Sequence, residues 1–184
     1  AATSAELYFP SGLAIDKSGN LYIADSSNHA IRKLGTDGNI TTVAGNGSFG
    51  FSGDDAAATN AQLNKPVGAA VDSSGNIYIA DTLNHRIRKV NASDGKISTV
   101  AGSGAMGFAG DGGAATSAKL NYPQYLAFDA AGNLYIADTN NGAIRKLSTD
   151  GKISTVAGTG INGFSGDGAA ATRAQLNYPK GIQL

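Results

Sequence analysis

The 184-residue sequence contains no cysteine and no tryptophan, and it has a single methionine. The absence of cysteine excludes disulfides and thiolate metal ligands. Charge is also scarce: charged residues make up 15% of the chain, and 14 basic residues balance 14 acidic ones. A net charge of zero argues against nucleic acid or an anionic membrane as partner. No apolar run reaches the roughly 18 residues of a spanning helix, so membrane insertion is not expected.

Glutamate is almost absent, since Glu6 is the only one and every other acidic residue is aspartate. The chain has instead 26 glycines. Aspartate and glycine favour turns over helix interiors, so the composition indicates a turn-rich β protein. The low charge and abundant small polar residues suit an exported protein, which predicts an extracellular or cell-surface location.

One 16-residue segment occurs three times. It is GNLYIADSSNHAIRKL from Gly19, GNIYIADTLNHRIRKV from Gly75 and GNLYIADTNNGAIRKL from Gly132, at spacings of 56 and 57 residues. A fixed period of this kind is typical of repeat architectures. On this period a single domain divides into three repeats and a partial fourth: 1–56, 57–113, 114–169 and 170–184.

Each repeat contains four short β-rich runs separated by turn residues. In the first repeat, Gly12–Asp16 and Leu21–Asp25 flank a glycine-containing turn, and Ala30–Leu34 and Ile40–Gly45 flank a Thr-Asp-Gly turn. This pattern predicts a four-stranded antiparallel meander. A repeated sheet of this kind is a β-propeller blade. The sequence therefore predicts an all-β fold with three four-stranded blades and an extra terminal strand.

The repeat also resembles a known family. The combination of LNYP, GNLYIAD, IRK, ISTVAG and GFSGDG is similar to the NHL-repeat β-propellers, in their long-loop bacterial form, over essentially the whole chain. The Asn-His pair of the family name occurs twice and is altered in the third copy: Asn28-His29, Asn84-His85 and Asn141-Gly142. The resemblance implies a propeller of about six blades, which this chain would complete by self-association.

Polar residues in the loop between the second and third strands are candidate ligand groups: Asn28, His29, Asn84, His85, Asn140 and Asn141. We favour a structural role, because side chains at this spacing bond to turn amides. The alternative is a ring of ligand-binding groups at one mouth of the propeller. Resemblance to amidating lyases would make the histidines metal ligands, but two matched positions are too few for a site. No metal or other cofactor is predicted.

The long loops each contain a Gly-Asp step before an alanine-rich stretch, which predicts a short helix with an aspartate cap: Asp54, Asp111 and Asp167. Calcium binding is the alternative, but each loop offers one or two carboxylates where calcium takes roughly six to eight oxygens. The basic pairs that begin at Arg32, Arg88 and Arg145 are expected on outer strands, as solvated edge charges.

The partial repeat leaves the completion of the ring open. Residues 170–184 repeat residues 1–15, and each segment is expected to form a loop helix and an innermost strand. A propeller needs at least about four blades, so three routes remain: a closed dimer, a head-to-tail polymer such as an extracellular filament or tube, or a fragment of a longer protein. Terminal strands would mediate assembly through these residues: Leu7, Phe9, Leu13, Ile15, Leu176, Tyr178, Pro179, Ile182 and Leu184.

The sequence carries no recognisable catalytic motif, and its repeats are too alike to gather unlike residues into one pocket. We therefore predict a non-enzymatic structural or binding module whose main partner is another copy of itself. One alternative is a propeller enzyme, lyase-like or lactonase-like, with a site on the central channel. Another is part of a larger NHL-repeat scaffold that presents its long loops to protein or glycan.

Overall fold

The computed structural model describes residues 2–183. Within this range the chain forms twelve β-strands: β1 Pro10–Ile15, β2 Leu21–Asp25, β3 Ala30–Leu34, β4 Ile40–Ala44, β5 Gly68–Val71, β6 Ile77–Asp81, β7 Arg86–Val90, β8 Ile97–Ala101, β9 Pro123–Phe128, β10 Leu134–Asp138, β11 Ala143–Leu147 and β12 Ile153–Ala157. Seven single turns of 3-10 helix accompany them: Ala2–Ser4, Ser26–Asn28, Ala58–Asn60, Thr82–Asn84, Ala115–Ser117, Thr139–Asn141 and Ala171–Arg173. None of these short turns approaches the length of a membrane-spanning helix.

The strands form three four-stranded antiparallel sheets, each a meander in sequence order. Strands β1 to β4 make blade 1, β5 to β8 make blade 2 and β9 to β12 make blade 3. This architecture confirms the all-β prediction and its three blades. Completion to about six blades by self-association stays a prediction.

The first hairpin turn of each blade is closed by the aspartate that follows the inner strand. In blade 1, Asp16 accepts backbone N–H bonds from Ser18 and Asn20, and the Asn20 side-chain amide donates to its second oxygen at 2.7 Å. Asp72 and Asp129 make the same bonds in blades 2 and 3. One carboxylate thus satisfies the turn amides, which explains why Asp recurs where each hairpin reverses.

The blades pack face to face, and an apolar core lies between each pair. Fully buried members of these cores include Ile31, Leu63 and Ile79 between blades 1 and 2, and Ile87, Leu120 and Ile136 between blades 2 and 3. Leu63 and Leu120 come from the connecting loops, so each loop fills part of the space between two sheets. Stability therefore depends on contacts between neighbouring repeats, as in other repeat proteins.

The innermost strands approach one another through glycine. The Gly12 N–H donates to the Val67 carbonyl at 2.7 Å, and a Cβ atom at Gly12 would collide with that carbonyl. A Cβ atom at Gly68 would likewise collide with the Gln124 carbonyl. In blade 3 the matching residue is Tyr125, so a following strand cannot approach β9 as closely.

The extra terminal strand that the sequence predicts is not formed between residues 176 and 183. The nearest β contact is an isolated bridge between Gln175 and Ser165. A strand here would pair with the second strand of a following blade, and it would also have to approach the bulky Tyr125. Leu184, which the sequence assigns to the same strand, lies outside the described residues.

Candidate functional site

A cluster of charges around a buried arginine joins blade 2, and likewise blade 3, to the loop that precedes it. In blade 2 the Arg88 side chain is 0% exposed, and its guanidinium contacts Asp54 at 2.6 Å and Asp81 at 3.4 Å. Asp54 belongs to the preceding loop, whereas Asp81 ends β6, so the arginine connects two separate parts of the chain. Blade 3 repeats the cluster with Arg145, Asp111 and Asp138.

Each of these arginines lies at an irregularity in its sheet. The pairing of the third and fourth strands shifts between Ile87 and Arg88 in blade 2, and at the matching point in the other blades. A bulge redirects a side chain, and the Arg88 guanidinium lies against the loop between blades, 4.7 Å from the Phe51 ring centre. The prediction that the arginines are solvated edge charges is wrong, because they lie on the third strand of four, where Arg88 and Arg145 are fully buried and Arg32 is 20% exposed.

The aspartates of the long loops do not cap helices, which corrects a second prediction. The helical turns follow Ala57, Ala114 and Ala170, and none has a side-chain cap hydrogen bond. The buried guanidinium is a stronger partner for a carboxylate than the few free amides of a three-residue turn.

The loop aspartates bind the fourth strand as well as the arginine. The Thr99 hydroxyl donates to Asp54 at 2.8 Å, and the Thr155 N–H donates to Asp111 at 3.1 Å. Each carboxylate therefore fixes its loop to two strands of the following blade. The sequence signal for this contact is the constant separation of 34 residues between loop aspartate and arginine, which lies beyond the reach of any local motif.

The asparagines of the predicted ligand loop belong to the same clusters. The Asn84 side chain donates to Asp81 at 2.8 Å and to the Gly50 carbonyl at 2.7 Å. Asn141 bonds in the same manner to Asp138 and Gly107, whereas Asn140 accepts a bond from the Asn162 side chain through its carbonyl. The contacts of Asn84 and Asn141 hold a blade to the loop before it, whereas that of Asn140 holds blade 3 to the loop after it.

Burial acts strongly on the carboxylates at the ends of the second strands. It raises the pKa of Asp81 to about 6, although bonds from Asn84, the Asn64 N–H and Arg88 oppose the rise. It raises the pKa of Asp138 to about 6 as well, against similar bonds. The clusters thus contain carboxylates whose charge depends on a nearby cation.

The two histidines also connect neighbouring blades. The Nδ1 atom of His29 accepts the Lys65 N–H at 3.1 Å, and that of His85 accepts the Tyr122 N–H at 3.2 Å. Burial lowers the pKa of both histidines, with a smaller effect from a nearby cation. Each imidazole is therefore held as a neutral acceptor. Within residues 2–183 no group of three His, Asp or Glu side chains is placed to hold a metal ion.

The third repeat replaces the histidine without losing this bond. Gly142 occupies the histidine position, and the Asn162 side-chain oxygen accepts the Tyr178 N–H at 3.1 Å. Lys65, Tyr122 and Tyr178 all have positive φ and all precede a proline. The accepted N–H therefore holds an unfavourable backbone conformation at the start of the following unit.

Blade 1 contains only half of the charged cluster. Among the described residues Arg32 has one carboxylate partner, Asp25 at 3.4 Å, and its side chain is 20% exposed. Asn28 donates to Asp25 and to no loop carbonyl, and Thr42 is exposed. Asn28, Arg32 and Thr42 line a cavity of about 360 Å³, which we call the blade 1 pocket.

A third copy of the loop that supplies the other half of the cluster in blades 2 and 3 lies at residues 163–167, which we call the terminal loop. Its sequence GFSGD matches GFSGD at 50–54 and GFAGD at 107–111. Phe51 and Phe108 lie against arginines and are 41% and 38% exposed, whereas Phe164 is 88% exposed. Asp167 is exposed, and within residues 2–183 it makes no ion pair.

The residues predicted to mediate assembly are largely exposed. Leu13 is 63% exposed, whereas the matching Ala69 of blade 2 is 6% exposed because blade 1 covers it. Leu7, Phe9, Ile15 and Tyr178 are exposed as well, and Leu176, Pro179 and Ile182 are half-buried. The structure thus leaves the outer face of blade 1 uncovered, but it pairs only Leu13 and Ile15 of this set into a strand.

A groove between blades 2 and 3 was not predicted. It encloses about 510 Å³ and is lined by Tyr78, Lys89, Phe128 and the turns that begin the two blades. The Tyr78 and Phe128 rings meet edge to face with centres 4.9 Å apart. The available signal was Phe128, which stands where the other blades have Ile15 and Val71.

Comparison with known proteins gives consistent matches. The profile of the NHL repeat matches residues 7–34, and the profile of the Teneurin NHL domain matches residues 50–109 and 105–165. The chain is 34% identical over 146 residues to Protein SUPPRESSOR OF QUENCHING 1, chloroplastic, of Arabidopsis thaliana. This match covers 75% of the chain and 14% of that protein. It is 33% identical to NHL repeat-containing protein 2 of Bos taurus (80% and 22% covered) and 36% identical to Teneurin-4 of Homo sapiens (78% and 6%). The chain therefore spans less than a quarter of each of these relatives.

Solved structures share the fold at lower identity. A protein of unknown function from Bacteroides thetaiotaomicron superposes with a TM-score of 0.72 and 23% identity, over 93% of this chain and 41% of that one. Virginiamycin B lyase from Staphylococcus aureus superposes with a TM-score of 0.52 and 17% identity, over 79% and 40%. At these identities the likeness concerns the fold and not the activity.

Proposed function

Because the chain belongs to the NHL-repeat family, we propose that it is a non-enzymatic structural and binding module that self-associates through its two open blade faces. The observation that carries the proposal is that the outer face of blade 1 exposes the apolar positions that blades 2 and 3 bury. Leu13 is 63% exposed where Ala69 and Leu126 are 6% and 8% exposed. An uncovered apolar sheet face favours a contact with a surface of the same kind.

The non-enzymatic part of the proposal is supported by what the candidate groups bind. The histidines and asparagines of the predicted ligand loop are engaged with backbone groups and with buried aspartates. A propeller enzyme would instead need such groups free to meet a substrate on the axis. We propose the extracellular space or cell surface as the location, on the low charge of the chain and its similarity to teneurins.

Self-association requires one terminal segment to move, because residues 2–10 and 171–179 are matching segments of the repeat. The N-terminal segment is held by the Ala2 N–H bond to Gly38 and by the Tyr8 N–H bond to Asp25. The C-terminal segment is tied to blade 3 through Ala171, Tyr178 and Pro179. Since the C-terminal segment is also bonded to the terminal loop, we propose that it stays in place and displaces the N-terminal segment of the next copy.

This contact permits both a closed dimer of six blades and a head-to-tail polymer. Which assembly forms depends on the angle between the two blades that meet at the new interface. The bulk of Tyr125 on β9, the innermost strand of blade 3, increases this angle. Other proteins or glycans remain further candidate partners for the long loops.

Sedimentation velocity over a range of concentrations tests the proposal. We expect concentration-dependent association of the full chain, loss of association when residues 177–184 are deleted, and stronger association when residues 1–7 are deleted. A chain that stays monomeric at every concentration, with or without residues 1–7, would contradict self-association. Association that survives deletion of residues 177–184 would contradict the role of the terminal segment.

A further inference from the structure

We infer that the terminal loop of one copy binds in the blade 1 pocket of a second copy, with Asp167 paired to Arg32. The inference rests on the proposed self-association and specifies which groups of the two faces meet. The partner is another copy of this chain in head-to-tail orientation.

The donors of the blade 1 pocket lack the acceptors that their counterparts have. In blade 2, Asn84 donates to the Gly50 carbonyl, and Arg88 donates to the Ser52 carbonyl at 3.1 Å and to Asp54 at 2.6 Å. Asn28 and Arg32 are the matching donors in blade 1, and their only described side-chain acceptor is Asp25. The pocket therefore presents an amide and a guanidinium spaced for one carboxylate and two carbonyl groups.

The terminal loop presents the missing acceptors. By its match to residues 50–54, it places the carbonyl groups of Gly163 and Ser165 beside the Asp167 carboxylate, and Phe164 in the position from which Phe51 covers an arginine. An aromatic ring over a guanidinium adds a cation–π contact. Phe164 is exposed, as expected of a ring whose partner arginine is Arg32 of a second copy.

The terminal loop is already folded for this contact. Its Gly163 N–H donates to the Leu176 carbonyl at 3.2 Å, as the Gly50 N–H donates to Leu63 and the Gly107 N–H to Leu120, both at 3.3 Å. The loop thus has the anchor of the two loops that bind arginine within the chain. A preorganised loop loses little conformational entropy on binding, which favours a second copy over a free acidic peptide.

Charge reversal tests the pairing. Arg32→Asp and Asp167→Arg each place like charges at the contact, so each variant alone should associate at least about tenfold more weakly than the wild type. An equimolar mixture should associate again, because both contacts between the two variants join opposite charges: the unchanged Asp167 of one meets the unchanged Arg32 of the other, and the introduced arginine meets the introduced aspartate. The matched control is Asp150→Arg, an equal charge change in an exposed turn, which should associate as the wild type does.

A second pair covers the case in which Arg32→Asp does not fold, since the introduced carboxylate would lie near the buried Asp25. Thr42→Asp changes an exposed residue of the same pocket, and its weakened association should be restored by mixing with Asp167→Arg. Variants that associate as strongly as the wild type would overturn the pairing while leaving self-association intact. Weak association of each variant without recovery in either mixture would also overturn it, and a monomeric wild type would overturn the proposed function itself.

Discussion

Replacement of Arg88 by methionine is expected to be among the most destabilising single changes to this chain. Methionine keeps much of the apolar length of the side chain but removes the guanidinium from between Asp54 and Asp81. Asp81 is fully buried, so its carboxylate would lose its nearest cation without gaining water. The matched control is Arg32→Met, because Arg32 occupies the same position in blade 1 but is partly exposed and has one carboxylate partner among the described residues.

The two substitutions should differ clearly in their effect on the free energy of unfolding. Removing one member of a buried ion pair costs about 3–5 kcal/mol, because a buried charge is left uncompensated. In blade 1 the arginine side chain is 20% exposed and has one carboxylate partner among the described residues, so loss of its hydrogen bond should cost less, about 1–2 kcal/mol. The expected difference is about 1–4 kcal/mol, which a denaturation experiment can resolve.

Urea unfolding at a concentration where the chain is monomeric measures both values. The pH dependence is a second check. Burial already raises the pKa of Asp81 to about 6, and loss of Arg88 should raise it further. A carboxyl whose folded pKa is raised stabilises the fold below its unfolded pKa and loses that effect as pH rises through the folded pKa. The penalty of Arg88→Met should therefore be larger at about pH 8 than at about pH 5.

Two results would refute this reasoning. One is a penalty for Arg88→Met no larger than that for Arg32→Met, which would mean that burial of the cluster contributes little. The other is a penalty for Arg88→Met that does not change with pH, which would mean that loss of Arg88 does not raise the pKa of Asp81.

Two further changes test the contacts between blades. Because the pKa of His85 is lowered in the folded chain, its stabilising contribution is complete above the unfolded pKa and is lost as pH falls through the folded pKa. The double substitution His85→Gly with Met106→Asn copies the third repeat and should reduce this acid sensitivity of the melting temperature. An unchanged pH profile of the melting temperature would contradict the role of the imidazole. Gly68→Ala should destabilise the chain by about 1–3 kcal/mol in urea unfolding, because its Cβ atom meets the Gln124 carbonyl. Gly113→Ala, where space is ordinary, should stay within about 0.5 kcal/mol of the wild type, and equal effects at the two glycines would argue against close packing at the axis.

Much of the fold could be predicted because its determinants are local. The first-hairpin turns, with Asp four residues before Asn and Gly between them, and the Asp-Gly turns specify hairpins within a few residues, and the repeat shows that the same meander occurs three times. The position of the arginines could not be found in this way. Alternation along β7 separates Arg88 from Lys89, but it does not say which face meets another blade, and the partner of Arg88 lies 34 residues earlier in a loop.

The prediction for the loop aspartates was wrong for a related reason. A Gly-Asp step before an alanine-rich stretch is a valid local signal for a helix cap, and it competes here with a distant guanidinium. The buried cation prevails, so the helical turns after Ala57 and Ala114 form without the cap. The functional residues of this chain are therefore identified by comparison between repeats and not within one repeat.

The offset between loop aspartate and arginine also gives the array a direction. Every repeat that is added between two others supplies one arginine and one loop aspartate, so a linear array of any length has a first blade whose arginine lacks a loop aspartate and a last loop whose aspartate lacks an arginine. The two ends are unlike, as the plus and minus ends of a cytoskeletal polymer are. Growth moves these two charges apart without removing them, and only closure of the array into a ring pairs every arginine with a loop.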